Sequence, residues 1–139
     1  MSKIVDMDLF MEGIGEFLGE GKEVVMTPKG NSMLPFIRGG VDRVVLRRKP
    51  AAAVGDIVLA KIGDRFILHR VISRKDDALT LMGDGNVRGT EACRTEDVIG
   101  TVAEIIRPSG HARTPGKACA WRALRPLRRY LLAIYRRLI

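Results

Sequence analysis

Three residues in this 139-residue chain have types and an order suited to nucleophilic chemistry: Ser32, His69 and Asp84. A serine hydroxyl is a poor nucleophile until a base takes its proton during attack, so Ser32 has meaning only with a base beside it. It stands in Gly30-Asn-Ser-Met-Leu-Pro-Phe36, a Gly-led turn that can present a hydroxyl. The chain has two histidines. His111 lies in a breaker-rich stretch, whereas His69 sits within Phe66-Ile-Leu-His-Arg-Val-Ile72, a run that reads as a strand and would hold the ring. An imidazole titrating near pH ~6.5 suits a general base at neutral pH. Gly83-Asp84-Gly-Asn86 follows the next apolar run and puts a carboxylate on a turn, where it could fix the imidazole tautomer. Lys61 is a rival base. A lysine must be neutral to act, which takes deep burial, and Lys61 stands at a hairpin end close to water, so the chemistry favours His69. Each residue also has a plainer reading, as a turn serine, a hydrogen-bonded core histidine or a hairpin Asp-Gly. Their ordered combination carries the catalytic one.

The elements that must position these residues are mostly strands. Short β-branched runs at Glu23–Met26, Arg43–Leu46, Asp56–Lys61, Phe66–Ser73, Ala78–Met82 and Val98–Ile106 alternate with Gly, Pro and Asp turn signals. Ile62-Gly-Asp-Arg65 joins two of them as a hairpin. Ahead of them, Met7, Phe10, Met11, Ile14, Phe17 and Leu18 recur at helical spacing, predicting an amphipathic helix over about 6–19 that Asp6 would cap. Its other face carries Glu12, Glu16 and Glu20. The fold class is thus mainly β (α+β): a small antiparallel β domain with an N-terminal helix and a C-terminal basic amphipathic helix.

The formal charge of +8 is unevenly placed. Residues 1–110 hold 16 basic and 16 acidic side chains, while residues 111–139 hold eight basic ones and no acid. Such asymmetry predicts a neutral domain over 1–108 and a linker with a basic tail over 109–139. No apolar run near either end exceeds the six residues of Tyr130–Tyr135, far below the about 20 that a membrane-spanning helix needs. Cys93 and Cys119 lack metal-ligand spacing, so no metal or cofactor is expected, and the compartment reads as reducing and cytoplasmic.

The elements Gly30-Asn-Ser32-Met33-Leu-Pro35, Val54-Gly-Asp56-Ile-Val58, His69-Arg70-Val71-Ile72 and Leu81-Met-Gly83-Asp84-Gly-Asn86 together resemble the signal peptidase I and LexA-like serine peptidases. The resemblance spans about residues 24–104. It implies Ser32 as nucleophile and a base before the Arg-Val pair. That base is lysine in bacterial signal peptidases and LexA-type proteins and histidine in the archaeal and endoplasmic-reticulum type, so this chain is similar to the histidine branch. Asp84 maps to an aspartate important for activity there, and the residues before the cut would be small. Two elements depart from the pattern: Gly39-Gly-Val-Asp42 stands for a Gly-Asp, and Gly-Asp-Gly-Asn for Gly-Asp-Asn-Asn. With neither a membrane anchor nor a DNA-binding domain in view, the expectation is a nearly bare catalytic core.

The mechanism expected is a Ser32–His69 dyad assisted by Asp84, with the Ser32 N–H serving the oxyanion and Gly30, Asn31, Met33 and Pro35 shaping its support. A peptide or protein precursor would add as a strand along Glu23 to Pro28. The alternative is a catalytically silent peptide-binding or membrane-tethered adaptor. In the tail, Leu127, Tyr130, Leu131, Ile134 and Leu138 share a helical face flanked by Arg128, Arg129, Arg136 and Arg137, with Trp121 nearby. That pattern fits an anionic membrane surface, which would place the protein peripherally on the inner face of the cytoplasmic membrane. It equally fits packing on the acidic face of the first helix. Nucleic acid ranks last for want of a recognition motif.

Overall fold

The computed structural model describes residues 3–138, and the side chains of residues 1–12 lie outside the described part. The proposed Asp6 cap, the apolar positions Met7, Phe10 and Met11, and Glu12 therefore lie outside it too. Chain order runs β1 (Lys3–Asp6), α1 (Met7–Gly19), β2 (Val24–Thr27), β3 (Arg43–Arg47), β4 (Ile57–Ile62), β5 (Arg65–Lys75), β6 (Ala78–Met82) and β7 (Glu91–Arg94). It continues through β8 (Val98–Ile106), β9 (Ala112–Arg113), α2 (Cys119–Ala123) and α3 (Arg128–Leu138). The strands form one sheet in the order β1-β2-β3-β8-β4-β5-β6-β7, with β9 paired to β8. Every pairing is antiparallel except β1 with β2. The mainly β expectation holds. The sequence reading lacked β1, β7 and β9, each of four residues or fewer and so too short for a period-2 pattern to register.

Alternation along the central strands sorts their side chains into two cores. Ile57 and Leu59 of β4 point with Leu68 of β5 into a cluster that also takes Ile14 and Leu18 of α1, Val24, Met26, Val44, Leu46 and Val102. Val58 and Ala60 point the other way, to Val71, Leu79, Leu81, Cys93 and Ala52. A strand buried on both faces reads as a continuous apolar run, which is why Ile57-Val-Leu-Ala60 has no alternation. The expected hairpin is present: Ile62 pairs with Arg65 across Gly63, whose φ of 60° suits the turn. Helix α1 lies close to β8 because Gly100 has no side chain; a Cβ there would stand 2.7 Å from Leu18 Cδ1. Among the described residues, no helix is long and apolar enough to cross a membrane.

Leu18 is fully buried at this helix–sheet contact. Leu18→Ala is expected to cost about 2–5 kcal/mol, seen as a lower denaturant midpoint with an unchanged slope.

Candidate active site

The loop between β2 and β3 is long, yet its ends meet. Gly40 N donates to Pro28 O at 2.7 Å, and Gly39 lies against Gly30 so tightly that a Cβ on it would fall 1.7 Å from Gly30 O. Within the loop, Asn31 O accepts from Leu34 N, and Met33 O accepts from Phe36 N and Ile37 N, a short helical turn after Ser32. Met33 and Ile37 are its hydrophobic roots in the larger core. Pro35, half-buried, follows a cis peptide bond, and Asn31 is exposed.

Asp42 anchors the loop's far end. It is fully buried and accepts from Arg38 N at 2.8 Å, from Arg38 Nη2 at 3.0 Å and from Arg107 Nη1. Burial works to raise the Asp42 carboxyl, but the Arg38 hydrogen bonds and the Arg107 charge outweigh it and hold the group below the usual carboxylate range. The aspartate three residues beyond Gly39 is thus the ionic clasp of the loop.

Ser32 and His69 line one cavity of about 160 Å³, with Pro28, Gly30, Phe66 and Leu68 among its other walls. His69 is buried on β5, and its two ring nitrogens face different partners. Nδ1 is hydrogen-bonded to Glu91 Oε1. Nε2 lies on the other side, by Gly83: a Cβ on Gly83 would meet both His69 Nε2, at 3.0 Å, and Ser32 O, at 2.4 Å. Ser32 and Nε2 therefore flank the same point, and only glycine fits between them. Among the described residues, neither Ser32 Oγ nor Ser32 N donates a hydrogen bond.

The geometry corrects the expected role of Asp84. Its carboxylate is nearly inaccessible and is held by Arg70, whose Nε reaches Oδ1 at 2.9 Å and whose Nη2 reaches Oδ2 at 2.7 Å. Arg70 Nη1 donates to Gly55 O and Gly116 O, both at 2.8 Å, and the guanidinium lies 5.2 Å from the Phe36 ring centroid. Asp84 does not meet His69; the carboxylate on the imidazole is that of Glu91. The Gly83–Asn86 turn instead braces the serine loop, through Gly85 N donating to Ser32 O at 2.8 Å and Asp84 N to Met33 Sδ at 3.5 Å.

Register explains Glu91. Val71 pairs with Leu81 and Leu81 with Glu91, so Glu91 shares the face of Val71 and, two residues back along β5, of His69. Sequence reasoning missed it because Glu91 opens the four-residue β7, and the only signal was an acid at the edge of a short Glu-Ala-Cys-Arg run. Lys61 is exposed, outside the cavity lining, with its ammonium 5.5 Å from the Phe66 ring centroid. His111 is exposed.

Residues 10–103 match the Peptidase S24-like family. The chain belongs to that family. Peptidase S24-like membership places it in the LexA and signal peptidase superfamily and, at family level, among peptidase-type hydrolases. The matched span contains the Ser32 loop, His69 and the Gly83–Asn86 turn, so the cavity lies in the part that defines the S24-like domain. No curated protein matches the chain.

The tail beyond the S24-like match is stitched to the back of this site. Trp121 Nε1 donates to Asp84 O at 2.9 Å, its ring meets Phe36 edge-on at 6.1 Å, and Arg128 Nη1 donates to Gly83 O and Asn86 O. Among the described residues, no ion pair joins the tail to Glu16 or Glu20; Glu20 pairs with Lys22. Trp121 and Arg128 thus face the domain, while Arg129, Arg136 and Arg137 are exposed. Both cysteines are free, and no group of three metal-ligating side chains occurs among the described residues.

Two outcomes follow. Asp84→Asn leaves Arg70 buried without its counter-charge and is expected to cost about 3–5 kcal/mol in denaturant unfolding. Because the Asp42 carboxyl titrates lower folded than unfolded, its contribution is full above its unfolded pKa of about 3.9 and is lost as pH falls through the folded value. An acid titration of stability should therefore fall less steeply in Asp42→Asn than in the wild type.

Proposed function

We propose that the protein is a serine endopeptidase of the histidine-type branch, cleaving a peptide or protein precursor in the manner of signal-peptide processing, with Ser32 as nucleophile and His69 as base. The observation that carries this reading is the division of labour on His69: Nδ1 on Glu91 and Nε2 beside Ser32 at one cavity. With a proton held on Nδ1 by the Glu91 carboxylate, Nε2 is left as the basic nitrogen. It accepts the Ser32 Oγ proton as Oγ bonds to the scissile carbonyl carbon. The resulting oxyanion collapses, the C–N bond breaks, and His69 returns the proton to the leaving amine, leaving an ester on Ser32. Water then attacks the ester with its proton passing to Nε2, and Ser32 regains its hydroxyl as the acid leaves. Glu91 acts as a positioning residue, and the Ser32 N–H is the donor best placed to receive the oxyanion.

A cavity of about 160 Å³ walled by Met33, Ile37 and Leu68 suits a small side chain before the cut. Strand β2 is paired on both sides, by β1 and β3, so the stretch Glu23 to Pro28 has no open edge for a substrate; the exposed Lys29–Gly30 backbone beside the cavity is where an extended substrate would lie. Asp84 supports the reading indirectly, by holding the turn against which Ser32 rests.

The test is digestion of a diverse peptide library read by mass spectrometry. Ser32→Ala and His69→Ala should each abolish cleavage. Glu91→Gln should lower kcat by about 10²- to 10⁴-fold with little change in KM, and Glu91→Asp should recover part of it. Cleavage that survives in Ser32→Ala or His69→Ala overturns the mechanism, and wild-type protein that binds peptides without cutting them supports the silent adaptor instead.

A further inference from the structure

Three arginines and no acid border a cavity of about 350 Å³ behind the catalytic domain. Arg122 comes from α2, Arg125 from the 3-10 turn that follows, and Arg128 from the start of α3, with Ile72, Cys119 and Ala123 completing the wall. Arg128 is buried to 1% exposure, and its Nη1 is satisfied by two carbonyls, but its buried Nε has no partner. Such an orphan donor is uncommon and costly inside a protein. Among the described residues the Arg122 guanidinium donates only to Lys117 O and Cys119 Sγ, and neither Arg122 nor Arg125 has an acidic partner. Burial pushes the Arg128 guanidinium down from its ordinary value; the Asp84 charge opposes this, and the Arg125 and Arg70 charges reinforce it. An anion in the cavity would relieve that repulsion.

A second observation lies along the same segment. Helix α3 buries Leu132 and Arg128 against the domain and turns Leu127, Tyr130, Ile134 and Leu138 outward, at 52, 57, 57 and 81% exposure. Their spacing places them on one stripe, and exposed Arg129, Arg136 and Arg137 flank it. A helix that served only to pack on protein would bury its apolar face. This one shows its apolar face, begins three residues after the arginine cavity's Arg125 rim, and belongs to a segment of eight basic residues and no acid.

We propose that the Arg122–Arg125–Arg128 cavity and the Leu127–Leu138 stripe form a docking surface for an anionic phospholipid bilayer, with a headgroup phosphate in the cavity and the apolar side chains in the acyl boundary. Charge complementarity selects this occupant, since basic residues attract anionic lipid while a second copy of the same basic tail would repel it. The helix lies along the surface, being only 11 residues long. Docking of this kind stands independently of peptide cleavage, and its test reads no activity.

The test is co-sedimentation of the full chain with phosphatidylcholine vesicles, with and without phosphatidylglycerol. Binding is expected only with phosphatidylglycerol and should weaken with added salt. Arg122→Ala/Arg125→Ala should lower the partition coefficient by about 30-fold, at about 1 kcal/mol per basic residue. Ile134→Asp/Leu138→Asp should abolish binding; matched circular dichroism and thermal unfolding would show that both variants fold. Equal binding to neutral vesicles, or binding unchanged in both variants, overturns the proposal. Thermal stabilisation by inorganic phosphate without vesicle binding would assign the cavity to a free anion and overturn the bilayer. Self-association dispersed by Ile134→Asp/Leu138→Asp, again without vesicle binding, would assign the stripe to a second copy.

Discussion

The buried pair of Arg70 and Asp84 ties together the strand that carries His69, the turn that braces Ser32 and the tail behind them. Removing two charges from water costs several kcal/mol per ion, which is offset only when geometry and further hydrogen bonds are good. Here the fork of Arg70 meets both Asp84 oxygens, and its remaining Nη1 is satisfied by Gly55 O and Gly116 O. Those two carbonyls come from the β3–β4 loop and the segment before α2, so one side chain joins three separate stretches of chain. The Asp84 backbone extends the link, with its N–H on Met33 Sδ and its carbonyl accepting from Trp121.

His69 and Arg70 are adjacent, and a strand sends adjacent side chains to opposite faces. One face holds His69 with Glu91, the other Arg70 with Asp84. The two carboxylates therefore do separate work. Glu91 sets the direction of the imidazole, whereas Asp84 neutralises the buried guanidinium and fixes the turn. The glycines on either side of Asp84 give that turn its closeness: Cβ atoms at Gly83 and Gly85 would fall 2.4 Å from Ser32 O and from Asn31 O respectively. Close backbone approach of this kind is what glycine permits and other residues block.

The clasp at Asp42 and the brace at Gly83–Asn86 hold the two ends of the serine loop, and Met33 and Ile37 root its middle in the core. Behind it, Trp121 meets Phe36 edge-on and carries the Arg128 guanidinium over its ring, so the basic tail is continuous with the packing of the site. The segment read as a linker contributes β9 to the sheet, Gly116 O to Arg70 and Lys117 to Asp56.

Local pattern alone determined much of this protein. β-branched runs, a 3.6-residue apolar period and the split of charge at residue 110 gave a mainly β domain with a helix at each end, because these signals are properties of consecutive residues. The serine turn and the histidine strand were legible for the same reason, as types set in recognisable local contexts. What the chain could not declare was which carboxylate meets which base. Asp84 stood nearer to His69 in sequence and followed a strand, but one residue of alternation assigns it to Arg70, and the register of β7 against β6 delivers Glu91 instead. Nor could the helical period of the tail say which face turns inward. Trp121 and Arg128 hydrogen-bond to the Gly83–Asn86 turn, and that contact leaves the apolar stripe outside. Partners across a sheet and the sides of a docked helix are decided by pairing between distant segments, which only the tertiary structure supplies.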